Sequence, residues 1–226
     1  MADGADFRAR LRAFPLAKQY VYGEAGKSVM SILHETDGMI FPYTPSIQIA
    51  QQVNYQPYSP LHAIQDFQVY TGTPSFAFSV TGDFTVQNAR EREYALAVIH
   101  LMRSISKMRF GASDPERGNP PPLMLFSAYG NMVFNDLPVV LTSYSFDFNN
   151  SVDYVRHQTT LPAAGGGGRQ AATPFTGLSD GEAWLPSKFS CTLNLTHQKT
   201  PQQLRRDFNW SDFRSGSLLQ RGQGWW

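Results

Sequence analysis

Residues 188–196 read KFSCTLNLT, and their alternation decides the fold. Phe189, Cys191, Leu193 and Leu195 fall on one side of an extended chain, with Ser190, Thr192, Asn194 and Thr196 on the other. A period of two marks a strand with one face in a core and the other toward water or a partner. The pattern recurs at 75–80, where Phe76, Phe78 and Val80 alternate with Ser75, Ala77 and Ser79. It recurs again at 143–148, where Tyr144, Phe146 and Phe148 alternate with Ser143, Ser145 and Asp147.

Working outward, shorter β-rich runs lie at 38–41, 63–70, 83–86, 123–128, 132–134 and 139–142. Tyr129-Gly130-Asn131 supplies a turn between two of them and predicts a hairpin. One helix interrupts the strands. Asn88 with Glu91 three residues on forms a capping-box pattern, and Tyr94, Ala95, Val98, Ile99, Met102, Ile105 and Met108 make an apolar stripe at helical spacing. The helix is expected over about residues 88–110, with Gly111 as its stop. Three consecutive prolines make 113–122 a loop, and the run of four glycines at 165–168 marks an insertion over about 161–177. Residues 1–36 read as an N-terminal arm, weakly amphipathic over 6–14. Residues 37–200 read as one β domain, and residues 201–226 as a C-terminal docking segment.

The chain has 226 residues and a formal charge of +1, which argues against a strongly basic nucleic-acid binder. Charged residues are 16%, below the roughly 25% of ordinary soluble domains, and their placement is uneven. Asp66 is the one charge between Gly38 and Gly82, and Asp136 the one between Asn119 and Phe146. A chain that covers its surface this way is expected to share that surface with partners. A single cysteine excludes an intrachain disulfide and a cysteine zinc site. No apolar run approaches a membrane span, and the first residues carry no apolar leader, so a protein made in the cytoplasm without a membrane partner is expected.

Motifs that would carry chemistry fail on spacing. A phosphate loop ending in Gly26-Lys27-Ser28 needs glycine where Val21 stands, so a plain turn is expected. The glycine run before Arg169 lacks dinucleotide spacing. The five histidines, His34, His62, His100, His157 and His197, form no close ligand pair, and His100 belongs on the wet side of the helix. Cys191 alternates with core residues and reads as an inert buried thiol. No catalytic, cofactor or metal residue is therefore assigned. Arg103, Lys107 and Arg109 read as favourable partners of a helix C-terminus. The segment with Phe208, Trp210 and Phe213, and the terminal Trp225 and Trp226, read as anchors, because exposed indoles need a surface to cover them.

Taken in order, several blocks resemble the baseplate tail-tube proteins of contractile-tailed bacteriophages, the tube initiators between hub and tail tube. The blocks are FPYTPSIQI at 41–49, NYQPYSPLHAIQDFQVY at 54–70, SFAFSVTGDFTVQN at 75–88 and EYALAVIHLMRSISKMRFG at 93–111. They continue with GNPPPLMLFSAYGNMVFNDLPVVL at 118–141, SYSFDFNNSVDYV at 143–155, LPSKFSCTLNLTHQKTP at 185–201 and FRSGSLLQRGQGWW at 213–226. The resemblance implies a mainly β, tail-tube-like sandwich or barrel with one flanking helix. It implies a homo-hexameric ring whose strands join into an inner barrel around a DNA channel. It also implies partners in the tail-tube protein, the baseplate hub or spike, the wedge proteins and the sheath, with DNA present only in transit. On that reading Phe76, Phe78, Tyr144 and Phe146 serve the inter-subunit sheet, and Phe208, Trp210, Phe213, Trp225 and Trp226 dock on a neighbour. A wedge or hub adaptor off the channel is the alternative. A wall-degrading enzyme and a glycan-binding module are the rivals from other classes, and would show convergent carboxylates or exposed aromatic platforms.

Overall fold

The computed structural model describes residues 7–23, 29–62, 64–109, 118–159, 181–199 and 209–222. The elements are β1 (Arg10–Ala13), α1 (Lys18–Tyr22), α2 (Ser31–Glu35), β2 (Met39–Ile40), β3 (Ser46–Ala50), β4 (Asn54–Tyr58), β5 (Phe67–Gly72) and β6 (Ala77–Thr85). They continue with α3 (Ala89–Ile105), β7 (Met124–Ala128), β8 (Phe134–Phe148), β9 (Tyr154–Thr159), β10 (Gly181–Pro186), β11 (Lys188–His197) and α4 (Trp210–Ser215). A mainly β fold with one long flanking helix is what the alternation implied. Seven strands form an antiparallel sheet in the order β2-β1-β7-β8-β11-β6-β3, and β4–β5 and β9–β10 form separate two-stranded sheets.

The 188–196 pattern lands in the middle of the sheet. Strand β11 pairs with β6 on one side (Cys191 opposite Gly82) and with β8 on the other (Cys191 opposite Phe146). Its Phe189, Cys191, Leu193 and Leu195 are fully buried or nearly so. Phe84 and Phe189 stack at 5.2 Å across the pair. The sheet does not stay flat. Phe78 on β6 and Phe126 on β7 are three strands apart, about 14 Å in a flat sheet, yet their rings lie 5.2 Å apart. The sheet therefore curls around its core.

Helix α3 begins as the capping pattern implied. Asn88 Oδ1 accepts the Glu91 N–H at 2.9 Å, and the Glu91 carboxylate accepts from Asn88 Nδ2 and from the Gln87 N–H. Its buried face is Ala95, Val98, Leu101, Met102 and Ile105, joined by Ala97. It stops at Ile105, so Met108 falls beyond it and is exposed. Tyr94 fixes the helix to the sheet margin: its hydroxyl accepts the Ile40 N–H at 2.6 Å and donates to the Ile40 carbonyl at 2.9 Å. Burial pushes this phenol up to about 12.

Two expectations change. The separate runs at 139–142 and 143–148 are one strand, β8, which begins at Phe134 and continues through Pro138, while Met132 and Val133 fall in the turn before it. The expected N-terminal arm is integral to the domain. Strand β1 inserts between β2 and β7, with Leu11 and Ala13 fully buried, and Leu33 of α2 joins the same core. A single short strand whose partners lie about 30 and 115 residues onward leaves only a weak local signature. The expected glycine-rich insertion and the Gly26-Lys27-Ser28 turn lie outside the described residues.

Arg12 locks this corner. It pairs with Asp37 at 3.0 Å and with Asp136, and Lys18 also reaches Asp37. Both aspartates sit at positive φ, 52° and 51°, a region Asp tolerates better than most residues. Burial alone would raise the Asp37 carboxyl, but hydrogen bonds from Lys18 and Arg12 outweigh it and hold the group below its usual range. Gly38 follows at φ +105°, where a Cβ would stand 2.5 Å from the Leu11 carbonyl oxygen. Gly38→Ala should therefore cost at least about 1–3 kcal/mol. The measurement is a lower urea midpoint at an unchanged m value.

Candidate assembly surfaces

Chemistry concentrates nowhere in the described residues. No three His, Cys, Asp or Glu side chains converge there on a metal-sized site. Cys191 is fully buried and its thiol is pushed up to about 12, which keeps it from acting as a thiolate nucleophile. His100 is exposed on α3. The Arg109 guanidinium lies over the Tyr20 ring at 2.9 Å from its centroid, tying α1 to the segment after α3. A polar cleft of about 220 Å³ is lined by Arg10, Arg12, Ser127, Asn131, Asn135 and Asp136 among others, and its Asp136 carboxylate already takes Arg12 and the Ser127 hydroxyl.

The edges and faces of the sheet are more informative. The β2 edge is closed by Tyr94, as described above. Two other margins are not. Strand β7 pairs with β8 only as far as Val139, while β11 continues along the far side of β8 to Phe148. Among the described residues, no strand pairs with residues 140–148 on the β7 side. At the opposite end β3 pairs with β6 alone. Strands β3, β6, β11 and the second half of β8 thus form a four-stranded antiparallel sheet with an open margin at each side.

The two faces of this sheet differ. One carries the core. On the other lie Ser46 and Gln48 of β3, Ser79, Thr81, Asp83 and Thr85 of β6, and Ser143, Ser145 and Asp147 of β8, with the polar set of β11 between them. These side chains bond to one another. Thr81 and Thr192 share a hydrogen bond at 3.0 Å, Asn194 Nδ2 donates to Ser143 Oγ at 2.8 Å, and Lys188 pairs with Asp83 at 2.9 Å.

Next to β3 projects the β4–β5 hairpin. Every residue in its strands is exposed except the half-buried Gly72. It presents Tyr55, Tyr58, Phe67, Val69 and Tyr70, with Leu61 at 88% and Ile64 at 100% exposure in its loop. An isolated two-stranded hairpin is marginal in water, and apolar exposure of this kind marks a contact surface. Sequence reasoning identified β5 in part but missed β3 and β4. The scarcity of charge over 38–82 is plain in the sequence, but aromatics on both faces of the run leave no period of two by which to place these strands.

The expected interface residues separate into three groups. Phe76 and Phe78, expected at the subunit interface, are core residues, each 3% exposed. Phe78 packs against Phe126 and Phe134, and Phe76 stacks on Phe78 and on His197. The reason is that the apolar set of β6 faces inward, so the strand margin offers its backbone and not these rings. Tyr144 and Phe146 are half-buried on the core side of β8, next to Phe148. Trp210 and Phe213 are exposed, at 62% and 55%, and meet edge to face at 5.4 Å on α4. The turn Ser217–Gly222 after α4 lies near β8 of its own chain. Phe208, Trp225 and Trp226 lie outside the described residues. No helix among the described residues is long and apolar enough to cross a membrane.

No family model matches the chain, and no curated protein matches it.

His197 closes the core end of β11. It is 1% exposed and stacked on Phe76 at 5.3 Å; burial, helped by Lys199, lowers its pKa from 6.5 to about 4. The unfolded chain takes up this proton first, so the stability from a neutral His197 is complete above about pH 6.5. It falls as pH drops toward about 4, by up to about 3 kcal/mol. Urea midpoints of wild type and His197→Gln across that window should converge on acidification, because the variant lacks this loss.

Proposed function

We propose that the chain is a non-enzymatic structural component of a contractile bacteriophage tail. It forms a homo-hexameric ring in the baseplate, joins the central hub to the tail tube and surrounds the channel through which DNA leaves. The observation that carries the proposal is the pair of open margins on the β3-β6-β11-β8 sheet. With two strands between them, β3 and the second half of β8 run in opposite directions. Laying β8 of one copy against β3 of the next therefore continues antiparallel pairing. Such a contact joins two different surfaces of the same chain and closes into a ring when the rotation allows.

Three further features support the reading. Unpaired margins are normally blunted by charge, proline or cover. The chain covers the β2 edge with Tyr94, whereas among the described residues no strand pairs with the outer side of β3 or with residues 140–148 on the β7 side of β8. The hairpin beside β3 adds uncharged aromatic area where a neighbouring copy would lie. The ordered sequence blocks that resemble tube initiators supply the virion context. In this role α3 faces outward, toward wedge and sheath proteins, and the ring templates the first layer of the tube.

The test is the mass of the purified full-length protein by sedimentation and native mass spectrometry, alone and with tail components. A ring is expected. A strict monomer at high concentration with no affinity for tail components rejects the proposal, and an image placing the chain away from the particle axis turns it into an adaptor. Proline probes the margin directly. Of two adjacent strand residues one N–H points to β11 and the other to the open side. Of Tyr144→Pro and Ser145→Pro, one should unfold the domain, and the other should keep native circular dichroism while remaining monomeric.

A further inference from the structure

We infer that the cleft between α1 and the end of α3 is a docking site for an acidic segment of a partner protein, with one bulky apolar side chain seated in the cleft and carboxylates laid on the cations around it. The inference does not depend on ring closure.

The cleft holds about 240 Å³. Val21, Ile105, Met108 and Pro122 give it apolar walls, and Tyr20 and Lys107 stand among its other lining residues. Tyr20 and Met108 are about half exposed, so the apolar area reaches the surface. The walls are held in place before any ligand arrives. The Arg109 guanidinium lies over the Tyr20 ring, the Arg109 N–H donates to the Asn119 carbonyl at 3.0 Å, and the Arg109 carbonyl accepts the Gly118 N–H at 2.8 Å. Ile105 is anchored in the core. A site fixed in this way avoids the cost of ordering it on binding.

Charge selects the occupant. Arg103 in the last turn of α3 and Lys107 just past it are exposed, and among the described residues neither side chain has a hydrogen-bond or ion-pair partner. By contrast Arg90 is held by Glu35 at 2.7 Å, Lys188 by Asp83 at 2.9 Å, and Arg12 and Lys18 by Asp37. The end of α3 favours two cations, yet it leaves their outward sides open to carboxylates. A nucleic acid fits less well. Such sites gather many Lys and Arg and offer aromatic faces on which bases stack, whereas here the Tyr20 face is taken by Arg109. A second copy also fits less well. Among the described residues the apolar β4–β5 hairpin brings one carboxylate, Asp66, already bonded by the Ser59 hydroxyl at 2.6 Å, and α4 carries Arg214 one turn from Trp210. An apolar side chain flanked by Asp or Glu answers both features of the cleft at once.

The test selects displayed random peptides on the full-length protein and measures the winners on two variants. Lys107→Glu reverses the charge of the rim, and Ser104→Trp fills the cleft from an exposed position that lines it. Peptides selected by the wild type should carry one aromatic or aliphatic residue with Asp or Glu on both sides. Resynthesised, they should bind each variant at least about tenfold more weakly, and should bind the wild type more weakly as salt rises. Arg103→Glu and Ser104→Phe stand in for either variant that loses native circular dichroism. A failure to select any motif, a neutral or basic motif, or binding that either folded variant leaves unchanged overturns the inference. A short DNA duplex that displaces the peptides overturns it in favour of nucleic acid, and altered self-association of a folded variant overturns it in favour of a second copy. A monomeric wild type removes the ring proposed above and leaves each of these outcomes with the same meaning.

Discussion

Strand β11 holds the molecule together by pairing along its length with two strands at once. On one side it meets β6, on the other β8, and its apolar set supplies the floor on which Phe84, Phe146 and Phe148 pack. Its polar set supplies the middle row of the uncovered face. One period-two segment thus fixes the register of the sheet, the location of the core and the chemistry of the opposite surface. A slip of one residue would exchange the two faces and bury hydroxyls in the core.

The consequence for assembly lies in how unevenly the sheet is finished. At β2 a partly buried phenol takes up both polar groups of an edge residue. At β3 and along 140–148 of β8 no strand pairs on the outer side among the described residues. The low charge of residues 38–82 works in the same direction, since like-charge repulsion is the usual barrier between strand edges.

Much of this was legible in the residues. The alternating segments at 75–80, 143–148 and 188–196, the Asn88–Glu91 cap and the turn at Tyr129–Gly130 are local signals, and each became the element expected. What escaped were features written at long range. Strand β1 is four residues whose identity depends on β2 and β7, and the clamp on Arg12 draws its carboxylates from positions 37 and 136. The faces of Phe76 and Phe78 were readable as a pair, but whether that pair turned toward core or neighbour depended on where α3 and β7 lay. The open margins were not readable at all, because an edge is defined by where the next strand stops.

The strand order also carries a consequence for biosynthesis. Strands β6 and β8 are flanking partners, yet the strand that separates them is made last of the seven, after both have left the ribosome. Until residue 197 emerges, the nascent chain holds a sheet with a missing central rib and apolar residues exposed on either side of the gap. Folding of the β6–β8 half therefore waits until β11 has emerged, and chaperone dependence should track the time the ribosome takes to travel from β8 to β11.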